Sequence, residues 1–171
     1  MDAPIRIEIA NRQTDIAIST PHLEEVSRFV LKDEQVTGAE ISLAIVDSES
    51  MQTLNREHLD HDYDTDVLSF LLECVASSSG ENPDRRGFGK FVEGEVIACA
   101  GMAARTAGQF GWSPQTELEL YVVHGLLHIL GYDDLSPEEQ LLMRQRESEI
   151  MLHFGYEVRH LPQEARDEAQ N

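Results

Sequence analysis

Apolar and polar residues alternate one for one from Ile5 to Ile9, the period-two pattern of a half-buried strand. Thr20-Pro21 then reads as an N-cap followed by proline at the first helical position. The helix it predicts runs to about Lys32, with Leu23, Val26, Phe29 and Val30 on its apolar face. Glu40 to Val46 predicts a second strand. Ser48 to about Asp60 predicts a helix with Met51, Leu54 and His58 on one side. Val67 to Leu72 is a short apolar strand, and Phe91 to Ala98 returns to strand. Met102 to Phe110 predicts a helix closed by Gly111.

Ser113-Pro114 opens a helix that is apolar nearly all round, from Leu118 to Leu130, so it is expected to be buried. Gly131 stops it, because glycine takes the left-handed conformation cheaply. Ser136 and Glu139 form a capping box for a last amphipathic helix to Phe154, stopped by Gly155. Alternating strands and helices without an internal repeat predict a sheet covered by helices.

At 171 residues and 41% apolar content, one domain with one core is expected. Residues 1–160 are assigned to it, and 161–171 to a polar tail. Residues 76–90, rich in Ser, Gly and charge, are read as a surface insertion loop. They also hold the densest positive patch, Arg85, Arg86 and Lys90, a place where RNA contact is conceivable. The first ten residues lack a cationic segment followed by an apolar run, and no stretch is long and apolar enough to span a bilayer. Cys74 and Cys99 therefore read as free thiols of a cytoplasmic protein. The net charge of −19 argues against non-specific binding of naked nucleic acid.

His124 and His128 are spaced four apart, which puts them on one helical face, where two imidazoles can hold one divalent ion. Gly131 lets the chain turn back, and Asp134 then stands where a third ligand would close the site. This spacing resembles the extended zinc motif of metzincin peptidases. Those peptidases place a glutamate directly after the first histidine as general base. Here that position is Gly125, which points to a metal hydrolase other than an ordinary peptidase. Asp66, Glu95 and Asp133 are the candidate catalytic carboxylates. Asp133 has a second reading as a turn cap or an orienting group. His58 and His61 read as exposed loop histidines; His22, His153 and His160 have no constellation around them.

Three blocks resemble the YbeY family of bacterial zinc-dependent endoribonucleases. They are Leu54-Asn55 with Thr65 to Phe70, Gly94 to Ile97, and His124 to Asp133 followed by Met143 and Glu147. The resemblance implies a zincin-like α+β fold: a small mixed sheet packed with helices, the metal motif on a buried helix and the following turn. It implies one zinc ion per chain, with His124 and His128 as ligands. The implied activity is cleavage of single-stranded RNA, in maturation of the small-subunit rRNA 3′ end and in ribosome quality control. The partners it implies are rRNA or a pre-ribosomal particle, with a ribosomal protein or GTPase alongside, and no membrane.

The chain departs from the family pattern in three places. Asp134 stands where the family has a third histidine; two histidines and a carboxylate also suit iron or manganese. Leu59 stands where the family has an arginine, and Arg56, one helical turn away, is the cation offered in its place. Glu95 replaces an aspartate. Two rival readings remain: another metal hydrolase acting on a peptide or small phosphoester, and a non-catalytic ribosome-assembly factor with a structural metal.

Overall fold

The computed structural model describes residues 3–60, 62–77 and 80–158. The chain forms β1 (Ile5–Arg12), α1 (Thr20–Asp33), β2 (Gly38–Val46), α2 (Ser48–Leu59), β3 (Val67–Ala76), β4 (Lys90–Cys99), α3 (Ala100–Phe110), α4 (Pro114–Ile129) and α5 (Pro137–His153). The fold is α+β. His61, His160 and the tail lie outside the described residues.

The four strands form one mixed sheet in the order β1-β2-β4-β3. β1 and β4 both run parallel to β2, and β3 joins the edge antiparallel to β4. The period-two pattern reads directly onto the two faces. Ala39, Ile41, Leu43 and Ile45 are buried, while Glu40 and Ser42 between them are exposed. One face therefore meets solvent. The other packs against α1 and α4, and α5 lies along α4. Leu23, Val26, Leu43, Val96, Leu126 and Leu127 lie in a single hydrophobic cluster, each at most 2% exposed.

Close approach of α4 to the sheet needs two glycines. A Cβ on Gly125 would lie 2.9 Å from Val96 Cγ1 and 3.1 Å from Val67 Cγ2. A Cβ on Gly94 would lie 2.7 Å from Ile129 Cδ1. The position after His124 thus faces the sheet, and a glutamate side chain has no room there. Its absence has a packing cause.

Several boundaries differ from those the sequence suggested. Ser19, not Thr20, caps α1: its Oγ accepts the His22 amide. β3 runs on past Leu72 to Ala76, because β4 supplies backbone partners as far as Lys90. Its outer half is exposed on both faces, with Leu71 and Leu72 in solvent. The capping box of α5 is half made. Ser136 Oγ accepts the Glu139 amide, but Glu139 turns its carboxylate to Arg86 instead of the cap.

Between β3 and β4, described residues 80–84 lie mostly at the surface, while the cations that follow are engaged with the body of the fold. Arg85 donates to the Asp33 carbonyl at 2.9 Å, Arg86 to the Gly131 carbonyl at 2.9 Å, and Lys90 to the Leu130 carbonyl at 3.3 Å. The positive patch clamps the C-terminal ends of α1 and α4, where the helix dipole favours cations. Cys74 is exposed, Cys99 is buried, and both are free thiols.

Candidate metal centre

Along residues 121–130 every residue is buried except His124 and His128. An apolar helix thus opens to solvent at two imidazoles on one face. Their Nε2 atoms stand 3.0 Å apart. Leu130 caps α4, and Gly131 turns the chain with φ +108°. That turn brings Asp134 back, with Oδ2 3.9 Å from each histidine Nε2. One donor atom from each of the three residues lies within 4.8 Å of the others.

This donor set fits a divalent ion. Two nitrogens bound tetrahedrally at zinc distances would stand about 3.3 Å apart, close to the observed separation. The carboxylate oxygen, 3.9 Å from each ring nitrogen, stands farther out than that, and Asp134 is exposed enough to move. Among the described residues, no fourth His, Cys, Asp or Glu joins the group.

Glu147, on α5, fixes the orientation of the first imidazole. Its Oε1 lies 2.5 Å from His124 Nδ1, which leaves Nε2 directed at the cluster. A carboxylate behind a ligating histidine sets the tautomer and raises basicity. Burial disfavours the protonated His124, but Glu147 outweighs it, with smaller contributions from Asp66 and Asp134. The imidazole is pushed up to about 9. His128 is held below its ordinary value by burial and by the neighbouring His124 charge.

The three sequence-predicted carboxylates separate. Asp66 directly precedes β3; its Oδ1 accepts the Val67 amide at 2.8 Å, and burial pushes its carboxyl up against the opposing effect of His124. Asp133 Oδ1 accepts the Leu135 amide at 3.1 Å, the turn-capping role. Glu95 is not brought to the histidines. Gly94 faces Ile129 of α4, so Glu95 faces the opposite side, beside exposed Ser42 and paired with Phe70 across the ladder. Strand parity puts it on the sheet face away from α4. Arg56 is paired with Asp62 at 2.8 Å, and Leu59 ends α2 half-exposed.

Two histidines read as isolated have local partners. His22 pairs with Glu119 at 3.2 Å, and His153 stacks on Phe29 with ring centroids 3.9 Å apart. His58 sits on α2, its ring 6.4 Å from that of Phe70.

Sequence reasoning gave Glu147 no role. The available signal was its position on the buried face of α5 with Met143, Ile150 and Met151, a carboxylate set in an apolar stripe.

Comparisons with known proteins show the family. The family model for endoribonuclease YbeY matches residues 8–155. An endoribonuclease YbeY of Salinibacter ruber is 39% identical over 149 residues, covering 86% of this chain and 90% of the relative. That of Sulfurovum sp. is 37% identical, covering 87% and 90%. That of Rhodococcus erythropolis is 35% identical over 160 residues, covering 93% and 87%. The solution structure of TM1509 from Thermotoga maritima superposes with a TM-score of 0.53 at 21% identity, covering 88% of this chain and 91% of that one, a likeness of fold. The match runs from the second half of β1 to the end of α5 and takes in both histidines, Asp134 and Glu147: the chain belongs to the endoribonuclease YbeY family.

Proposed function

We propose that this chain is a metal-dependent endoribonuclease cutting single-stranded RNA in rRNA maturation at the small-subunit 3′ end and in ribosome quality control. The convergence of His124, His128 and Asp134, three donors with no fourth beside them among the described residues, carries this reading. Three protein ligands leave a coordination position for substrate or water, the mark of a catalytic site rather than a structural one. The absence of a glutamate after His124, with Gly125 packed on Val96, disfavours the peptidase reading.

Zinc is the proposed ion, and iron or manganese is the alternative that a carboxylate ligand admits. When bound, it polarises a phosphate oxygen and lowers the pKa of a water. His124 and His128 hold the site through Nε2, and Glu147 keeps His124 in that orientation. Asp66 is the proposed general base. Asp133 is engaged in its turn, Glu95 is on the far face, and Glu147 already holds a ring nitrogen.

A surface carrying −19 favours a protein-coated particle over naked RNA as the physiological target. Cytoplasmic residence follows from that target. No helix among the described residues is long and apolar enough to cross a membrane.

The test is cleavage by the metal-loaded chain of single-stranded RNA, the same RNA as duplex, and casein. Cutting of the single strand alone, with about one metal ion per chain, is the expected result. Metal binding with no RNA cleavage would move the assembly-factor reading ahead, and casein digestion would restore the peptidase.

A further inference from the structure

Strand β3 is an edge of the sheet, and its second half stands clear of the helices. It pairs with β4 on one side; among the described residues no strand pairs with the other. An open edge is a row of backbone N–H and C=O groups ready to pair with another chain. Residues 71–76 are all exposed, Leu71 at 52%, Leu72 at 62% and Val75 at 53%. Apolar side chains along an unpaired ladder are the surface to which a further strand adds.

The pleat and the charges decide what that strand carries. Residues directly across a ladder share a face of the sheet. Leu71 lies across from Gly94, which faces Ile129, and Cys74 across from buried Val92, so both point to the α4 side. Glu73 lies across from Glu93, and Glu93 across from Glu40, on the open side. The neighbouring row on that side runs Phe70, Glu95, Ser42, Glu8. Carboxylates set directly opposite one another repel. The one ion pair of the Glu73 row among the described residues is Arg6 with Glu40 at 3.9 Å, at the end away from β3. The β3 edge is thus left negative, on a chain of net charge −19. A second copy would bring the same carboxylates against these; a chain carrying cations on that face would neutralise them.

We propose that residues 71–76 of β3 pair with an extended segment of a partner protein in which Lys or Arg alternates with apolar residues. Its cations lie over the acidic rows of the open face, and its apolar side chains lie beside Leu71 on the other. The test uses the full chain and a fluorescein-labelled octapeptide of alternating Lys and Val, read by fluorescence anisotropy. Neither metal nor RNA enters, so the result is independent of the endoribonuclease reading. Wild type is expected to bind this peptide and to leave the octapeptide of alternating Glu and Val unbound. Alternate residues of a strand donate to opposite edges, so N-methylation of every Val blocks one edge and of every Lys the other. At least one methylated form should bind about tenfold more weakly. Glu73→Lys should weaken the Lys/Val peptide by about tenfold at low salt, and Glu73→Gln, which keeps the shape, by less. Absence of binding to wild type overturns the inference. So does binding indifferent to both methylations, which is charge attraction without strand pairing. A chain that sediments as a dimer, and as a monomer after Leu72→Glu, gives the edge to a second copy and overturns it as well.

Discussion

Two polar clusters meet at the end of α4, and they are built on opposite plans. One is His124, His128 and Asp134. The other is Glu34, Arg146, Tyr132 and Asp33. In the second, charges are complementary and bonds are complete. Glu34 Oε1 accepts from Arg146 at 2.8 Å and from the Tyr132 hydroxyl at 2.8 Å, and Oε2 accepts from the Gly87 amide at 3.1 Å. Arg146 also donates to Asp33 at 2.7 Å. Glu34 and Arg146 are buried.

In the first cluster, donors of lone pairs converge on one another. Two ring nitrogens face each other across 3.0 Å, a carboxylate looks on, and all three side chains reach solvent. The second network is satisfied from within the protein, by its own members together with the Gly87 amide and Glu149, and ties Tyr132, next to Gly131, to α1 and α5. The histidine cluster stays open to solvent, and the proposed metal would complete it. Saturation against convergence separates a structural network from a binding site better than burial or charge does.

The comparison breaks most cleanly with one mutation on each side. His128→Ala is expected to abolish stoichiometric metal and RNA cleavage while shifting the stability of the metal-free chain by less than about 1 kcal/mol. Arg146→Met strands Glu34 as a buried unpaired charge and should cost about 3–5 kcal/mol. Metal content of the fraction still folded should stay near wild type. Elemental analysis and denaturant melts on both variants check this. A large stability loss in His128→Ala would make the histidine cluster part of the scaffold.

A smaller effect tests the link between the clusters through α5. Glu147→Gln keeps the shape but removes the charge behind His124. Metal affinity should fall about 10–100-fold, read by competition with a chelator. No change would leave Glu147 a packing residue.

The smallest effect is in pH. The metal-free His124 is pushed up to about 9 from an ordinary value of 6.5, chiefly by Glu147 against burial. A raised folded-state value contributes stability that is full below 6.5 and is lost as pH rises from 6.5 to about 9. Below 6.5 the depressed His128 works the other way, since the unfolded chain then binds the extra proton. Metal must displace the His124 proton, so metal affinity should rise over the window in which metal-free stability falls. Melting curves with and without metal at pH 6.5, 7.5 and 8.5, for wild type and Glu147→Gln, check both signs; the variant should be flatter.

Much of this was legible in the residues. Strand alternation, the prolines opening α4 and α5, and Gly131 closing α4 are local signals, and each element formed where its signal lay. Errors fell at ends that a neighbour decides. β3 outran its apolar stretch because β4 offered it partners. The basic segment 85–90 read as a solvated patch because no local rule shows that Asp33 and the carbonyls of α4 wait for it.

The sequence by itself determined the pair His124 and His128. Four residues on an α-helix is a fixed distance, and no tertiary contact is needed to set two imidazoles side by side. Gly131 likewise made the return of Asp134 available. Tertiary structure alone decided which carboxylates lie on the side of that pair. Glu147 reaches His124 through the packing of α5 on α4, Asp66 through the placement of β3, and Glu95 is turned away by the register of β4 against its neighbours. Helix packing and strand register are sums over many weak contacts, so no single residue announces them, whereas the turn of one helix is set by its own backbone.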